Sequence, residues 1–276
     1  MALAVLTYPS INPIAFHLGP LVVRWYGLAY VAGFIGAALI LRRLNRVWEI
    51  GISDDHQIDI VLAAIIGVIV GGRLGYVLFY GGSEYITHPL RVFATWDGGM
   101  SFHGGLAGIL LAGWFVSRRI GVPYLQLVDL GAVGAPIGFL LGRITNFVNG
   151  ELWGRVTTVP WGMVFPTGGP LPRHPSQLYE AFLEGLVLFV VLLWLARRKR
   201  ADGMIFGTLL AGYAAFRILV EFVREPDLQL GFIAGPFTMG QLLSLPMLLV
   251  GVWVVVRAVK AERASRAAST PDEVGE

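Results

Sequence analysis

Residues 203–223 read GMIFGTLLAGYAAFRILVEFV. An α-helix needs about 20 consecutive, mostly apolar residues to cross the hydrocarbon of a bilayer. This run meets that length, and its only charges are Arg217 and Glu221. They stand four residues apart and so share one face of a helix. An ionised side chain at membrane depth costs roughly 2.5–3.5 kcal/mol on insertion scales, so it is rarely present without a role. The stretch therefore predicts a spanning helix with a site on one of its faces.

Working outward, six further stretches have the same character: about 20–41, 57–79, 99–117, 125–146, 178–196 and 236–257. The expectation is an all-α integral membrane protein, a bundle of seven transmembrane helices forming a single membrane domain over residues 1–276. Two connections are sizeable, roughly 80–98 and 147–177, and a polar tail at about 260–276 is expected to be flexible. Composition agrees: of 276 residues 55% are hydrophobic and 14% charged, with a mean hydropathy of +0.68. Soluble domains carry nearer a quarter charged. The net charge of +3 is no sign of nucleic-acid binding, because the basic residues cluster at the ends of apolar runs. With no cysteine, a thiolate metal site or a cysteine nucleophile on this chain is excluded. The first basic residue is Arg24, so no cleaved signal peptide is expected.

Lys and Arg in the loops predict orientation. One set of helix ends holds Arg42, Arg43, Arg46, Arg118, Arg119, the basic run 197–200, Arg257, Lys260, Arg263 and Arg266. The opposite set holds Arg91, Arg155, Arg173 and Arg224. The bias places the N-terminus outside and the C-terminus in the cytoplasm. Glycines at four-residue spacing (Gly67, Gly71 and Gly75; Gly104 and Gly108; Gly134, Gly138 and Gly142) form ridges suited to close helix packing in lipid.

With that orientation the polar residues gather at one depth. Tyr26 follows Arg24 and Trp25 in the outer third of the first helix, and His103 lies about one turn below the outer surface in the segment 97–105, DGGMSFHGG. Arg143 ends the fourth helix. The sixth carries Tyr213, Arg217, Glu221 and Arg224 as one stripe, in which Glu221 is expected to hold both arginines. A guanidinium stays charged and donates two parallel hydrogen bonds to phosphate oxygens, so paired arginines in the outer leaflet suit a phospholipid headgroup. A histidine flanked by glycines suits proton transfer. No phosphate-binding Gly-Lys-Ser/Thr loop, zinc-binding histidine pair or serine nucleophile elbow is present, which favours metal-independent chemistry.

Two other classes compete with an enzyme. A transporter for an anionic solute would need polar residues continued into the cytoplasmic halves, which look nearly dry apart from Arg73 and Asp129. A structural membrane protein would leave the common depth unexplained.

Residues 142–154, GRITNFVNGELWG, resemble the signature of the bacterial prolipoprotein diacylglyceryl transferase family. The segments 101–106 (SFHGGL), 173–180 (RHPSQLYE), 24–27 (RWYG) and 213–224 are similar to further blocks of that family, and the resemblance covers roughly residues 10–255. It implies transfer of the diacylglyceryl group of phosphatidylglycerol to the lipobox cysteine of a prolipoprotein, releasing glycerol 1-phosphate. It also implies a bacterial inner-membrane location with the site towards the periplasm, and no cofactor. The expected catalytic residues are His103, Arg143 and Arg217. Tyr26, Gly104, Arg143, Asn146, Glu151, Gly154, Tyr213 and Glu221 are expected to bind substrate. The expected partners are phosphatidylglycerol, prolipoprotein signal peptides and membrane lipid, with the chain a monomer. The Pro- and Gly-rich loop 147–177 is expected to be an irregular but partly rigid periplasmic cap, with Pro175 in the first turn of the fifth helix.

Overall fold

The computed structural model describes residues 6–81, 84–95, 98–226 and 232–268. Seven helices of 18 residues or more run through them: α1 Trp25–Val47, α2 Asp54–Tyr80, α3 Phe102–Ile120, α4 Tyr124–Val148, α5 Ser176–Leu195, α6 Met204–Glu221 and α7 Met239–Ala268. All but α3 are long and apolar enough to cross a membrane. Their outward surfaces are apolar, with Leu78 76% and Phe79 80% exposed. Ser176, Gln177, Glu180 and Glu184, in contrast, are wholly buried. An apolar exterior around polar interior residues is the arrangement expected of a protein whose solvent is lipid. Asp97 and the tail beyond Ala268 lie outside the described residues.

Helix boundaries depart from the sequence reading where other pairings intervene. Residues 20–24 were expected to begin the first span, yet Leu21–Arg24 (β3) pairs antiparallel with Ile14–Leu18 (β2). Gly19 at the turn has φ +57°, and the β-branched Val22 and Val23 favour extended backbone. The first helix then starts at Trp25, whose Nε1 donates to the Asn12 carbonyl at 3.1 Å. At the other end of the chain α7 continues to Ala268. Its last turns carry the helix-favouring sequence AVKAERASRAA and an Arg266–Glu262 pair at 2.7 Å. Pro175 is the residue before α5 and not a member of its first turn.

The chain forms two compact units: residues 1–40 with 131–276, and residues 41–130. In the second unit α2 begins at the Ser53 cap, whose Oγ accepts from the His56 amide at 3.3 Å. The glycine ridges are the reason α2 and α3 lie so close. A Cβ on Gly67 would stand 2.6 Å from the Gly108 carbonyl oxygen, and one on Gly75 would stand 2.7 Å from the Gly104 Cα. Arg73, which the sequence reading counted among the few polar residues of the cytoplasmic halves, is buried. It lies near the C-terminal end of α2, and its guanidinium donates to the carbonyls of Val92 (2.8 Å), Arg91 (2.6 Å) and Gly98 (2.5 Å). That places it at the end bearing the 80–98 connection. Such donors let an irregular loop satisfy its backbone without water.

In the first unit α1 and α4 approach through small residues, with Gly134 against Ala37 and Gly33 against Gly138. Gly207 of α6 meets Gly251 of α7 in the same way. The 147–177 loop is irregular but tied at many points. Its residues 154–157 run between 172–174 and 223–224, with Gly154 N to His174 O at 2.8 Å and Arg155 N to Val223 O at 2.8 Å. Arg173 donates to the Gly168 carbonyl, pairs with Glu225 at 2.9 Å and lies 4.0 Å over the Trp153 ring. Leu6–Thr7 (β1) pairs parallel with Met163–Val164 (β4). Next to it, the buried Tyr8 hydroxyl lies 2.7 and 2.8 Å from the carbonyls of Phe147 and Val148 at the C-terminal end of α4.

Gly67→Leu is expected to prise α2 from α3, costing about 1–3 kcal/mol or more and showing as loss of a monodisperse peak and a lowered Tm in detergent. Gly131→Ala, where nothing stands within 4 Å of the added carbon, should change stability by less than about 1 kcal/mol. Tyr8→Phe keeps the ring against Phe147 and Phe165 but removes the donor, and should cost about 1–2 kcal/mol in the same melting experiment.

Candidate functional site

Helix α5 places two carboxylates, Glu180 and Glu184, in an otherwise apolar segment. The stretch Ala181–Val187 is a π-helical turn. Its i to i+5 bonding widens the helix, and such turns recur at functional sites. Gly185 permits it beside α4, because a Cβ there would stand 2.7 Å from the Leu140 Cα. Glu180 is the hub. Arg143 Nε of α4 reaches its Oε2 at 2.6 Å. On its Oε1 converge Arg217 Nη1 of α6 at 2.7 Å and Arg224 Nη1, just beyond α6, at 2.8 Å. Arg143 Nη2 also stands 3.9 Å from Glu184 Oε2.

Around this hub runs a second layer of partners. Arg217 Nη2 pairs with Glu221 Oε2 at 2.9 Å, one turn along α6. The Glu221 carboxylate lies against the first turn of α7, where a Cβ on Gly240 would stand 2.8 Å from its Cδ, so glycine makes the room. That end of α7 is closed by reciprocal bonds, Thr238 N to Gln241 Oε1 at 3.2 Å and Gln241 N to Thr238 Oγ1 at 3.3 Å. A carboxylate at a helix N-terminus is electrostatically favoured. On the α4 side Asn146 Nδ2 donates to Glu151 Oε1 at 2.9 Å, as does Asn149 Nδ2 at 3.0 Å. Arg143 Nη1 makes a long 3.5 Å contact with Asn146 Oδ1. Gln177 Nε2 fixes the Glu151 carbonyl, and the Tyr213 ring packs on Phe139 with centroids 5.1 Å apart.

Counted formally, three guanidinium groups (Arg143, Arg217, Arg224) face three carboxylates (Glu180, Glu184, Glu221). Exposure breaks the symmetry. The side chains of Glu180 and Glu184 have none, whereas Arg143 keeps 18% and Arg217 13%. The reachable edge of a balanced cluster is therefore cationic. Each guanidinium has five N–H donors in a fixed fork, so Arg143 and Arg217 can take an incoming anion without surrendering Glu180.

Arg143, Asn146, Glu151, Arg217 and Glu221 thus gather in one network, with Tyr213 on the same helix as Arg217. Gly154 serves the backbone, since a Cβ would stand 2.5 Å from the Val223 carbonyl. Tyr26 stands in the first turn of α1, its ring edge-on to Tyr30 at 5.2 Å. His103 and Gly104 belong to the second unit. There His103 is exposed in the first turn of α3, behind the Ser101 cap, and Gly104 packs against α2. The expected stripe needs one correction: Arg224 lies past the end of α6 and pairs with Glu180, while Glu221 holds Arg217. Sequence reasoning passed over Glu180 and Glu184 as site residues. The signal was available, two acidic residues four apart inside an apolar run.

In the cap, Trp161 Nε1 donates to the Tyr179 hydroxyl at 2.6 Å, and that hydroxyl lies 3.1 Å from His174 Nδ1. The Tyr179 hydroxyl thus joins the Trp161 indole to the His174 ring. Burial lowers the His174 pKa below its usual 6.5.

Removing Glu180 leaves buried guanidinium groups uncompensated. Glu180→Ala should therefore cost about 3–5 kcal/mol, read as a large fall in Tm and in folded yield. For His174 the depressed pKa means the unfolded chain binds more protons. The stability it contributes is present above pH 6.5 and lost as pH falls through the folded-state value. Protection factors of amides 154–176, which remove the intrinsic pH dependence of exchange, should fall as pH is lowered from 7.5 to 5, and His174→Gln should flatten that dependence.

A family model described as prolipoprotein diacylglyceryl transferase matches residues 13–257. The phosphatidylglycerol–prolipoprotein diacylglyceryl transferase of Geobacter sulfurreducens is 55% identical over 249 residues, 90% of this chain and 96% of its own. The protein of the same name from Rhizobium meliloti is 51% identical over 273 residues, covering 95% and 98%. That of Legionella pneumophila (strain Paris) is 51% identical over 250 residues, covering 90% and 98%. Matches of this extent, over the same residues that form the arginine–glutamate network, show that the chain belongs to the prolipoprotein diacylglyceryl transferase family.

Proposed function

We propose that this chain is a phosphatidylglycerol–prolipoprotein diacylglyceryl transferase, catalysing the first step of bacterial lipoprotein maturation. It moves the diacylglyceryl group of phosphatidylglycerol to the lipobox cysteine thiol and releases glycerol 1-phosphate. Beyond family membership, one observation carries the reading: the reachable edge of the buried cluster is formed by Arg143 and Arg217, while its carboxylates are sealed. A phosphodiester headgroup is a ligand suited to that edge.

The chemistry balances without redox change, and the proposal calls for no cofactor. A carbon–sulfur bond forms at the glycerol carbon as its bond to the phosphate oxygen breaks. The electron pair goes to phosphate, and the thiol proton goes to His103 as general base. Negative charge thus moves from sulfur to phosphate, and in this proposal Arg143 and Arg217 stabilise it where it develops. Glu180 and Glu221 orient the two guanidinium groups. Asn146 and Glu151 hold the α4 end, and Tyr26, Gly104, Gly154 and Tyr213 complete the substrate-binding set implied by the family resemblance. The nucleophile is the substrate's own cysteine, consistent with a chain that has none.

The same reading assigns seven membrane spans in the bacterial inner membrane, with the N-terminus and the arginine cluster towards the periplasm and the C-terminus in the cytoplasm. The basic residues concentrated at one set of helix ends support it. The 147–177 cap receives the signal peptide, and the chain acts as a monomer.

The decisive experiment combines purified protein, phosphatidylglycerol vesicles and a lipobox peptide with cysteine, or with serine in its place. Glycerol phosphate release with a diacylglyceryl gain in peptide mass is expected only with cysteine. Its absence from folded protein would overturn the assignment. Arg143→Ala and Arg217→Ala should each lower turnover about 10²–10³-fold, and near-full turnover in both would remove the phosphate role. His103→Asn should lower turnover about 10²–10⁴-fold, whereas near-full turnover would assign thiol activation elsewhere.

A further inference from the structure

From the middle of α5 to its C-terminal end, two cavities follow one seam. The first, about 320 Å³, is walled by apolar residues of three helices, among them Leu188 and Val191 of α5, Phe216 of α6, and Val252 and Val256 of α7. The second, about 310 Å³, lies one turn further along the same three helices, between Trp194, Met204 and Val259. Its far wall changes character and is built by Arg200, Glu262, Arg263 and Arg266.

The basic end is organised. Glu262 Oε1 takes Arg266 Nη2 at 2.7 Å and Arg200 Nη1 at 3.3 Å, so one carboxylate oxygen gathers guanidinium groups from two separate segments. Three arginines against one glutamate leave this wall at +2. Basic residues placed only to set orientation need no shared cavity and no apolar antechamber. Here an apolar groove and a cationic pocket lie about one turn apart along the same three helices. Basic pockets between helices suit acidic lipid headgroups.

We infer that the seam between α5, α6 and α7 binds an acidic phospholipid, distinct from the substrate of the arginine cluster. Its phosphate is held by Arg200, Arg263 and Arg266, and an acyl chain lies along the Leu188–Val252 groove. Glu262 pre-orients two of the arginines at the cost of lowering the net positive charge that the headgroup meets.

The test uses the full chain in phosphatidylcholine vesicles doped with phosphatidic acid carrying a diazirine in its acyl chain. Photolabelled peptides are then mapped by mass spectrometry. Labelling is expected in 188–195, 204–216 and 252–259. It should fall about tenfold in the triple variant Arg200→Gln, Arg263→Gln, Arg266→Gln, because each basic group near a membrane surface adds to anionic-lipid attraction. Glu262→Gln removes the competing carboxylate and should increase labelling, which guards against a triple variant that merely misfolds. Excess inorganic phosphate should not compete; if it does, the pocket is a small-anion site and the proposal falls. Equal labelling by diazirine phosphatidylcholine, or undiminished labelling of the triple variant, would reduce the seam to ordinary lipid contact and overturn it.

Discussion

A single carboxylate organises the first unit. Glu180 is wholly buried in an apolar bundle, a position that an ionised group tolerates only when opposite charges replace its lost hydration. Arg143, Arg217 and Arg224 do so, each within 2.6–2.8 Å and from three different places in the chain. That convergence fixes the relation of α4, α5 and the end of α6. It also explains why the neighbouring backbones need such small side chains. Gly185 lets α5 swell into its π turn beside α4, and Gly240 lets the head of α7 meet Glu221. Remove the ion hub and these close approaches lose their purpose.

The bilayer sets the other half of the logic. Without water to drive helices together, α2 and α3 depend on glycine faces that bring backbone to backbone, as do α6 and α7. Buried polar groups, in turn, draw their partners from the protein itself where they have them. Arg73 illustrates the rule in the second unit: its guanidinium satisfies loop carbonyls that water would serve in a soluble protein. Tyr8 serves the end of α4 in the same manner.

What the sequence disclosed follows from this division. Long apolar runs are a strong signal because lipid demands them, and the helices lie close to where such runs stand. A stripe such as Tyr213, Arg217 and Glu221 is legible because helical spacing puts it on one face. Tertiary partners are not. Nothing in the spacing of α6 reveals that Arg224 answers to Glu180, 44 residues earlier. Arg73 shows its charge in the sequence, but nothing there reveals that its partners are the carbonyls of the loop that follows α2. Short extended pieces also escaped notice, since Leu21–Arg24 is as apolar as the helix it precedes, and only its pairing with Ile14–Leu18 makes it a strand.

The parallel pairing of Leu6–Thr7 with Met163–Val164 bears on how the protein is made. Leu6–Thr7 leaves the ribosome ahead of its partner, which is synthesised more than 150 residues later. At translation rates of about 5–20 residues per second, that strand waits roughly 10–30 s before it can dock. Leu6–Thr7 therefore docks long after it is made, and completion of the 147–177 loop is a late, long-range event in biogenesis.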